Sequence, residues 1–334
     1  MKRKIALVLS IALTFTLLSG CSLKSGTGSS KKNQYFTFAA PPSSSALYPY
    51  WVSVGKAIST VYPQYKITVS ESQGAVDIAK RIRSGEVKVG NCVSSTDYEN
   101  YNGTGAFDGK PYNKLRILWY YETTPEQFAV SESSGVKTVY DLAGKKFNPG
   151  GTGTSAAAIT YSVLKLLGVS PSYFEAGQSD AADAYSNRQI IGTVKLGPIN
   201  DSYIMQLIAA QPVRLLSFSD EDMAKITKEY PYLIAATIPS GTYKGVNYDV
   251  KTIATLQGAQ TTSDLSEEDG YNMIKAMCEG GKSVWQNAYS QGAKNDILAL
   301  SLKSSIPLQA GTVKYLKEKG YKVPSNLIPP EYKD

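Results

Sequence analysis

The residues best placed to hold a ligand lie at positions 150–155, where glycines alternate with small hydroxyl side chains. The order is Gly150, Gly151, Thr152, Gly153, Thr154 and Ser155. Glycines let the main chain approach a ligand closely, and the free N–H groups at the start of a helix attract an anion. The segment therefore predicts a carboxylate or phosphate site. A plain helix cap with a glycine hinge explains the same residues equally well.

The residues that follow predict the helix that such a site needs. Ile159, Val163, Leu166 and Leu167 recur at helical spacing, and Gly168 is a favourable stop. A P-loop is excluded because no lysine precedes the final Ser or Thr.

A nicotinamide cofactor is the second possibility for this segment. Gly151, Gly153 and Ala156 fit the pattern G-x-G-x-x-A, and Glu175 follows at about the required 20 residues. That pattern should follow a buried parallel strand, whereas residues 144–147 (GKKF) predict a short, charged segment. The dinucleotide hypothesis is therefore weak, and with it the hypothesis of a dehydrogenase.

Small polar residues open predicted helices at three more places. They are Ser43, Ser44 and Ser45 after a first strand, Ser94 and Ser95 after a third strand, and residues 197–200 (GPIN), ending in Asn200, before a later helix. In open parallel sheets, ligands bind beyond the carboxyl ends of the strands, where such loops meet. The recurrence predicts a cleft for a small anionic ligand, with Tyr48 and Tyr203 as candidate walls.

Composition excludes several classes of function. The chain has no histidine, which removes Ser-His-Asp and Cys-His catalysis and the commonest metal ligand. Its net charge is +7, but six basic and no acidic residues lie in residues 1–32, which leaves +1 for the rest. A nearly neutral body argues against nucleic-acid binding. We expect a binding protein rather than an enzyme, without cofactor or metal.

The first residues predict export. Lys2, Arg3 and Lys4 precede an apolar segment at residues 5–18 that is too short to span a bilayer. Residues 18–21 (LSGC) resemble a bacterial lipobox, which predicts a signal peptide at 1–20, a lipidated Cys21 and a flexible tether at 21–34; a plain secretory signal is the alternative. The body would then be anchored at the outer face of the cell membrane or in the periplasm.

About 300 residues remain for an α/β fold of one large or two smaller domains. The pattern predicts separate strands at 115–122 and 127–131 and an extended segment at 249–257, followed mainly by helices. Cys92 and Cys278 could form a disulfide, but their surroundings favour two buried thiols.

Four segments, in order, resemble the TAXI-type solute-binding proteins of tripartite ATP-independent periplasmic (TRAP) transporters. They are residues 90–107, with the ending YNGTGAF; residues 134–145, with SGVKT and DLAGK; residues 151–154 (GTGT); and residues 214–243, with YPY and IPSGTY. The resemblance implies a type II periplasmic-binding-protein fold with a cleft and a hinge. It also implies one lobe at 35–124 and 244–334 and the other at 125–243.

By the same resemblance, the chain captures a small organic acid or amino acid and delivers it to an integral membrane permease. Two departures concern the ligand site. Ala40, Pro42 and Ser45 replace the glycines of the family's first loop, and residues 93–95 (VSS) replace Q-S-D. These departures leave two alternatives. The ligand is different or less polar, or the protein is a surface sensor that has kept the fold but has no role in transport.

The expected ligand-binding residues form one set from both lobes. They are Ser43, Ser44, Ser45, Tyr48, Ser94, Ser95, Thr152, Gly153, Thr154, Ser155, Asn200 and Tyr203.

Overall fold

The computed structural model describes residues 32–43, 45, 47–152 and 154–333. The predicted signal peptide, most of the tether, Cys21, Ser44 and Gly153 lie outside the described residues. The strands are β1 (Gln34–Ala40), β2 (Tyr65–Glu71), β3 (Val89–Val93), β4 (Leu115–Ser131), β5 (Lys146–Asn148), β6 (Ser172–Tyr173), β7 (Gly192–Leu196), β8 (Val213–Leu215), β9 (Ile234–Ile238) and β10 (Val250–Thr262).

Helices cover the sheet that these strands form. They are α1 (Leu47–Val61), α2 (Ala75–Arg83), α3 (Ser94–Asn102), α4 (Ser155–Leu166), α5 (Gln178–Ser186), α6 (Ser202–Ala210), α7 (Asp220–Glu229), α8 (Glu267–Cys278), α9 (Lys282–Ala288), α10 (Ile297–Ser301) and α11 (Ala310–Glu318). The predicted α/β class is thereby confirmed.

The sheet mixes parallel and antiparallel pairs. Its main path runs β2-β1-β3-β10-β4-β7-β5-β6, while β8 pairs with β4 and β9 pairs with β10. β1 lies parallel to β2 and β3, and β5 lies parallel to β6 and β7. Every residue of β3 is buried, as expected for a strand covered on both faces.

β4 is a single long strand, so the prediction of two strands at 115–122 and 127–131 was wrong. It pairs with β10 as far as Pro125 and then with β7 and β8. The polar sequence around Pro125 suggested a break because proline cannot donate to a ladder. Here the proline lies where β4 changes partners, and the strand continues.

β10 also extends beyond the predicted segment at 249–257. Its last residues are polar, yet they are buried between β3 and β4 because their side chains find main-chain partners. Gln260 donates to the carbonyl of Asn91 at 3.1 Å, and Thr261 donates to that of Lys88 at 2.7 Å.

Residues 144–147 were wrongly predicted to lack a buried parallel strand. β5 is short, but Phe147 and Asn148 are fully buried and the strand is parallel to β7. Only Lys146 at its start is exposed, with its ammonium group 5.1 Å from the centre of the Phe174 ring. In the sequence, the charged residue at the start of the strand obscured the fact that the remaining residues are buried.

The buried apolar residues form separate clusters on either side of Pro125, where β4 changes the strands with which it pairs. One cluster draws on residues 36–121 and 256–327. The other two draw on residues 128–253. β4 and β10 therefore connect the clusters, while the predicted lobe boundaries stay a prediction.

The two cysteines of the described chain are free thiols. Cys92 is buried as expected, whereas Cys278, at the end of α8, is half-buried. Within the described residues, no helix is long and apolar enough to cross a membrane, and no group of three or more Cys, Asp or Glu residues could hold a metal ion.

Candidate functional site

The carboxyl ends of strands from both sides of the sheet converge at the middle of β4 and β10. β3 ends at Val93, which pairs with Gln257, and β7 ends at Leu196, which pairs with Glu126. The loops that follow β3 and β7 therefore begin at the same height along β4 and β10. This is where open α/β sheets bind their ligands.

Four polar residues occupy β4 and β10 at this level, and we name them the crossing row: Thr124, Glu126, Thr255 and Gln257. Thr124 pairs directly with Thr255, and residues two apart on a strand share a face, so the four side chains lie on one face with Glu126 and Gln257 at its opposite ends. Thr124, Glu126 and Thr255 are 6%, 1% and 0% exposed.

Each member of the crossing row carries a buried oxygen without a hydrogen-bond partner in the described chain. These atoms are Thr124 Oγ1, Glu126 Oε2, Thr255 Oγ1 and Gln257 Oε1. Leaving one buried polar group unpaired costs about 1–3 kcal/mol. Four adjacent cases indicate a place built to bind a polar molecule.

Helices cover the crossing row from two directions. Thr160 of α4 donates to Glu126 Oε1 at 3.2 Å. Glu122, two residues before Thr124 on β4, pairs with Gln257 and hydrogen-bonds the hydroxyl of Tyr289, just after α9. The crossing row thus lies between α4, which contacts Glu126, and Tyr289, which contacts the neighbouring Glu122.

Burial dominates the electrostatics of both carboxyl groups. It raises the pKa of Glu126 well above the usual value, and the hydroxyl of Thr160 offsets only part of that rise. It also raises the pKa of Glu122, against a smaller lowering by Tyr289. Each group therefore holds its proton more tightly than a free carboxyl group does.

The glycine-rich loop before α4 is organised by a residue outside the predicted set, Asn148. Its side-chain oxygen accepts from the N–H groups of Gly150 and Gly151 at 3.0 and 3.1 Å and from Thr193 Oγ1 at 2.8 Å. Its amide nitrogen donates to the carbonyl of Phe174 at 2.9 Å. The loop is therefore fixed to the end of β5.

Thr154 caps α4. Its hydroxyl accepts from the N–H of Ala157 at 3.1 Å and lies 2.9 Å from the carbonyl oxygens of Gly150 and Gly151. Thr154 thus fulfils the cap interpretation, and a ligand here would rely on main-chain donors at the helix start. Thr152 and Ser155 are exposed beside it.

The predicted hydroxyls of the other loops are placed differently. Ser94 is buried, donates to the carbonyl of Tyr232 at 2.9 Å and accepts from the N–H of Leu256 at 3.0 Å. Ser95 is also buried at the start of α3. The hydroxyl of Ser45 accepts from the N–H of Leu47 at 3.2 Å, just before α1.

Two further members of the predicted set lie at the edges of this region. Ser43 is exposed, and its N–H donates to Glu71 at 2.9 Å. Tyr48 is half-buried and packs against the first apolar cluster. Neither side chain has a position that assigns it to the crossing row.

Asn200 lines a cavity of about 610 Å³ that also contacts Glu122 and Thr123. Lys294 and Lys303 are its basic residues. Along β4, Glu122 shares the face of the crossing row and Thr123 lies on the opposite face, and both line the cavity. The other described members of the predicted set do not line this cavity.

Tyr203 stands behind the glycine-rich loop. Its hydroxyl donates to the carbonyl of Gln178 at 3.0 Å, and the ammonium group of Lys195 lies 5.9 Å from the centre of its ring. Glu175 accepts from Tyr161 at 2.5 and 2.7 Å. That carboxylate is thereby already bound, where a dinucleotide site would need it free for a ribose.

A family model matches residues 38–320, which is most of the chain, and it describes the NMT1-like family. The chain belongs to the NMT1-like family. Its TAXI subfamily stays a prediction.

Two solved structures are similar over nearly their whole length. A TctC solute-binding protein from Polaromonas is 14% identical with a TM-score of 0.54, over 86% of this chain and 98% of that one. A protein from Xanthomonas citri, solved bound to ATP, is 10% identical with a TM-score of 0.51, over 85% and 94%. Identities this low show the fold alone, and the predicted periplasmic-binding-protein fold is confirmed.

Sequence reasoning missed the crossing row and Asn148. The pattern Glu122-Thr-Thr-Pro-Glu126 looked like a polar break between strands, although polar residues alternating on a strand also mark a polar face. Asn148 two residues before the pair Gly150-Gly151 was a usable signal, since asparagine side chains often bond the main chain two residues on.

Proposed function

We propose that this protein is an extracytoplasmic solute-binding protein that captures a small carboxylate. The observation that carries the proposal is the crossing row: buried, unpaired polar atoms on the two strands that connect separate apolar clusters. Such an arrangement holds a ligand between two bodies that can close about the strands joining them. The fold and the NMT1-like family membership support this role, which includes no chemical step.

We assign the carboxylate to the start of α4. The helix dipole favours a negative charge there, and the first N–H groups of a helix have no intrahelical partner. Asn148 fixes the loop by accepting from the N–H groups of Gly150 and Gly151. We therefore assign the ligand's carboxylate to the N–H groups of Ser155 and Ala156 at the start of the helix. Thr152 and Ser155 supply hydroxyl donors from the same loop.

The cavity beside Lys294 and Lys303 is the alternative place for a carboxylate, because two lysines would attract an anion. A double variant, Lys294→Gln with Lys303→Gln, separates the two assignments. We expect it to leave the affinity for the captured acid within about threefold. A loss of tenfold or more, which is about 1.4 kcal/mol, would move the carboxylate to this cavity.

Delivery to a membrane permease completes the proposed role. The resemblance to TAXI-type proteins supports a TRAP-type permease, and a lipid on Cys21 would keep the protein near it. Deleting the gene should abolish uptake of the captured acid, and a Cys21→Ala variant should appear in the medium or periplasm rather than in the membrane fraction. Normal uptake in the deletion strain would instead favour a sensor.

The direct test is a thermal-shift screen of the purified protein, followed by calorimetry of each hit. The panel contains amino acids, keto acids, dicarboxylates, sugars and nucleotides. We expect stabilisation by one class of small carboxylate. Stabilisation by sugars alone, or by no member of the panel, would refute the carboxylate assignment.

A further inference from the structure

The unpaired atoms of the crossing row are mostly acceptors. Glu126 Oε2 and Gln257 Oε1 are oxygens of a carboxyl group and an amide, and the hydroxyls of Thr124 and Thr255 can also accept. The other oxygen of Glu126 already receives the hydrogen bond from Thr160. A ligand that satisfies Glu126 Oε2 and the two neighbouring threonine hydroxyls must donate several hydrogen bonds.

No protein cation of the described chain compensates Glu126. Its pKa is raised by burial and lowered only by the hydroxyl of Thr160. The same holds for Glu122, where the lowering comes from Tyr289. An ionised carboxylate that is 1% exposed needs a positive partner, and the ligand is the remaining source.

We propose that Glu126 binds a protonated amine on the ligand, so that the captured molecule is an amino acid rather than a simple organic acid. The inference rests on the proposed function, which places the ligand's carboxylate at the start of α4. An ammonium group offers three donors. Glu126 Oε2, Thr124 and Thr255 supply three acceptors, because the two threonines lie directly opposite each other on β4 and β10.

The geometry also explains why both ends of the ligand are needed. Glu126 receives Thr160 from α4, the same helix whose start would hold the carboxylate. A zwitterion therefore joins the crossing row to α4 and neutralises the buried carboxylate of Glu126. A simple acid would leave Glu126 protonated and the threonines only partly satisfied.

The test compares pairs of compounds that differ in the amine: glutamate with glutarate, leucine with 4-methylpentanoate, and alanine with propionate. Calorimetry measures each Kd for the wild type and for Glu126→Gln, which keeps the shape and removes the charge. Glu229→Gln on exposed α7 is the matched control. We expect the wild type to prefer the amine-bearing member of the bound pair at least tenfold.

Glu126→Gln should reduce that preference to about threefold or less and leave the affinity for the deaminated acid nearly unchanged. Glu229→Gln should retain the full preference. Equal binding of both members of a pair by the wild type would overturn the inference and leave the proposed function intact. Failure to bind any carboxylate would refute the proposed function itself.

A second measurement needs no variant and covers the case in which Glu126→Gln fails to fold. Because burial raises the pKa of Glu126, an ammonium group that ionises it should release a proton on binding at a pH below that raised pKa. The measured heat should then depend on the ionisation enthalpy of the buffer. The same heat in phosphate and imidazole buffers, together with undiminished binding, would contradict the assignment.

Discussion

The side-chain oxygen of Asn148 lies 3.1 Å from the main-chain nitrogen of Gly151 and accepts its hydrogen bond. Asn148 is fully buried at the end of β5, so the flexible glycines are fixed to the sheet. Gly150 and Gly151 therefore have a defined conformation without help from a ligand. A preorganised loop loses less conformational entropy on binding than a mobile one.

Replacing Asn148 with alanine should therefore weaken both folding and binding. Three bonds to its oxygen and others from its nitrogen are lost, which leaves buried main-chain groups unpaired and costs roughly 3 kcal/mol. Urea denaturation measures the stability, and calorimetry with the captured acid measures the affinity. Unchanged affinity in a destabilised variant would show that the loop does not contact the ligand.

Gly150→Ala should be more harmful than Gly168→Ala. Gly150 has a φ of 118°, and an added Cβ would lie 2.7 Å from Cβ of Ala156. Gly168, after α4, has a φ of 73° with no heavy atom within 4 Å of the added carbon. We expect about 1 kcal/mol for Gly168→Ala and roughly 3 kcal/mol for Gly150→Ala, by urea denaturation. Equal losses would mean that the loop relaxes around the new methyl group.

Ser94→Ala should destabilise the protein by about 2 kcal/mol, since the N–H of Leu256 in β10 loses its side-chain acceptor. Ser53→Ala is the matched control, because buried Ser53 only donates to the carbonyl of Tyr50 within its own helix. The control should lose less than about 1 kcal/mol. A similar loss in both variants would indicate that Ser94 adds nothing specific to the connection between α3 and β10.

Asp97 should make stability fall as the pH rises. Burial raises its pKa to about 7, and the nearby Cys92 and the Tyr120 hydroxyl, 3.0 Å away, offset only part of this rise. The acid holds its proton more tightly in the folded chain. It therefore costs nothing below about pH 4 and reaches a cost of about 4 kcal/mol above pH 7.

Asp97→Asn should remove that dependence, because the amide cannot ionise and can still accept from Tyr120. Urea denaturation at pH 5 and pH 8 measures the free energy of unfolding of both proteins. We expect the variant to gain stability relative to the wild type between pH 5 and pH 8. If wild type and variant lose the same stability over this range, other groups cause the fall.

The convergence of loops was predictable from local sequence. Ser94 and Asn200 each follow a strand and open a loop or helix, and that order requires only strand ends and helix starts. The hydrogen-bond partner of each hydroxyl group was not predictable from the sequence. Thr154 caps its own helix, whereas Ser94 contacts β10, because hydrogen-bond partners far apart in the chain are decided by packing.

The crossing row shows the same limit from the other direction. Thr124 and Thr255 are 131 positions apart in the numbering, and no local pattern states that they are neighbours. Their burial also depends on the helices that cover them. The local sequence does not indicate this burial, since Glu126 next to Pro125 is typical of an exposed turn. Local propensity therefore suggested a break where the folded chain has a carboxyl group that is only 1% exposed.

Residue types and spacing are sufficient for the α/β class, the expectation of export, the absence of histidine chemistry and the loop at 150–155, because each depends on neighbours within a few residues. Only folding decides that β4 is continuous, that Asn148 fixes this loop and that Glu126 lies buried beside Leu196 of β7 and Thr160 of α4. Those properties depend on strand pairing and burial, which join residues that the sequence keeps far apart.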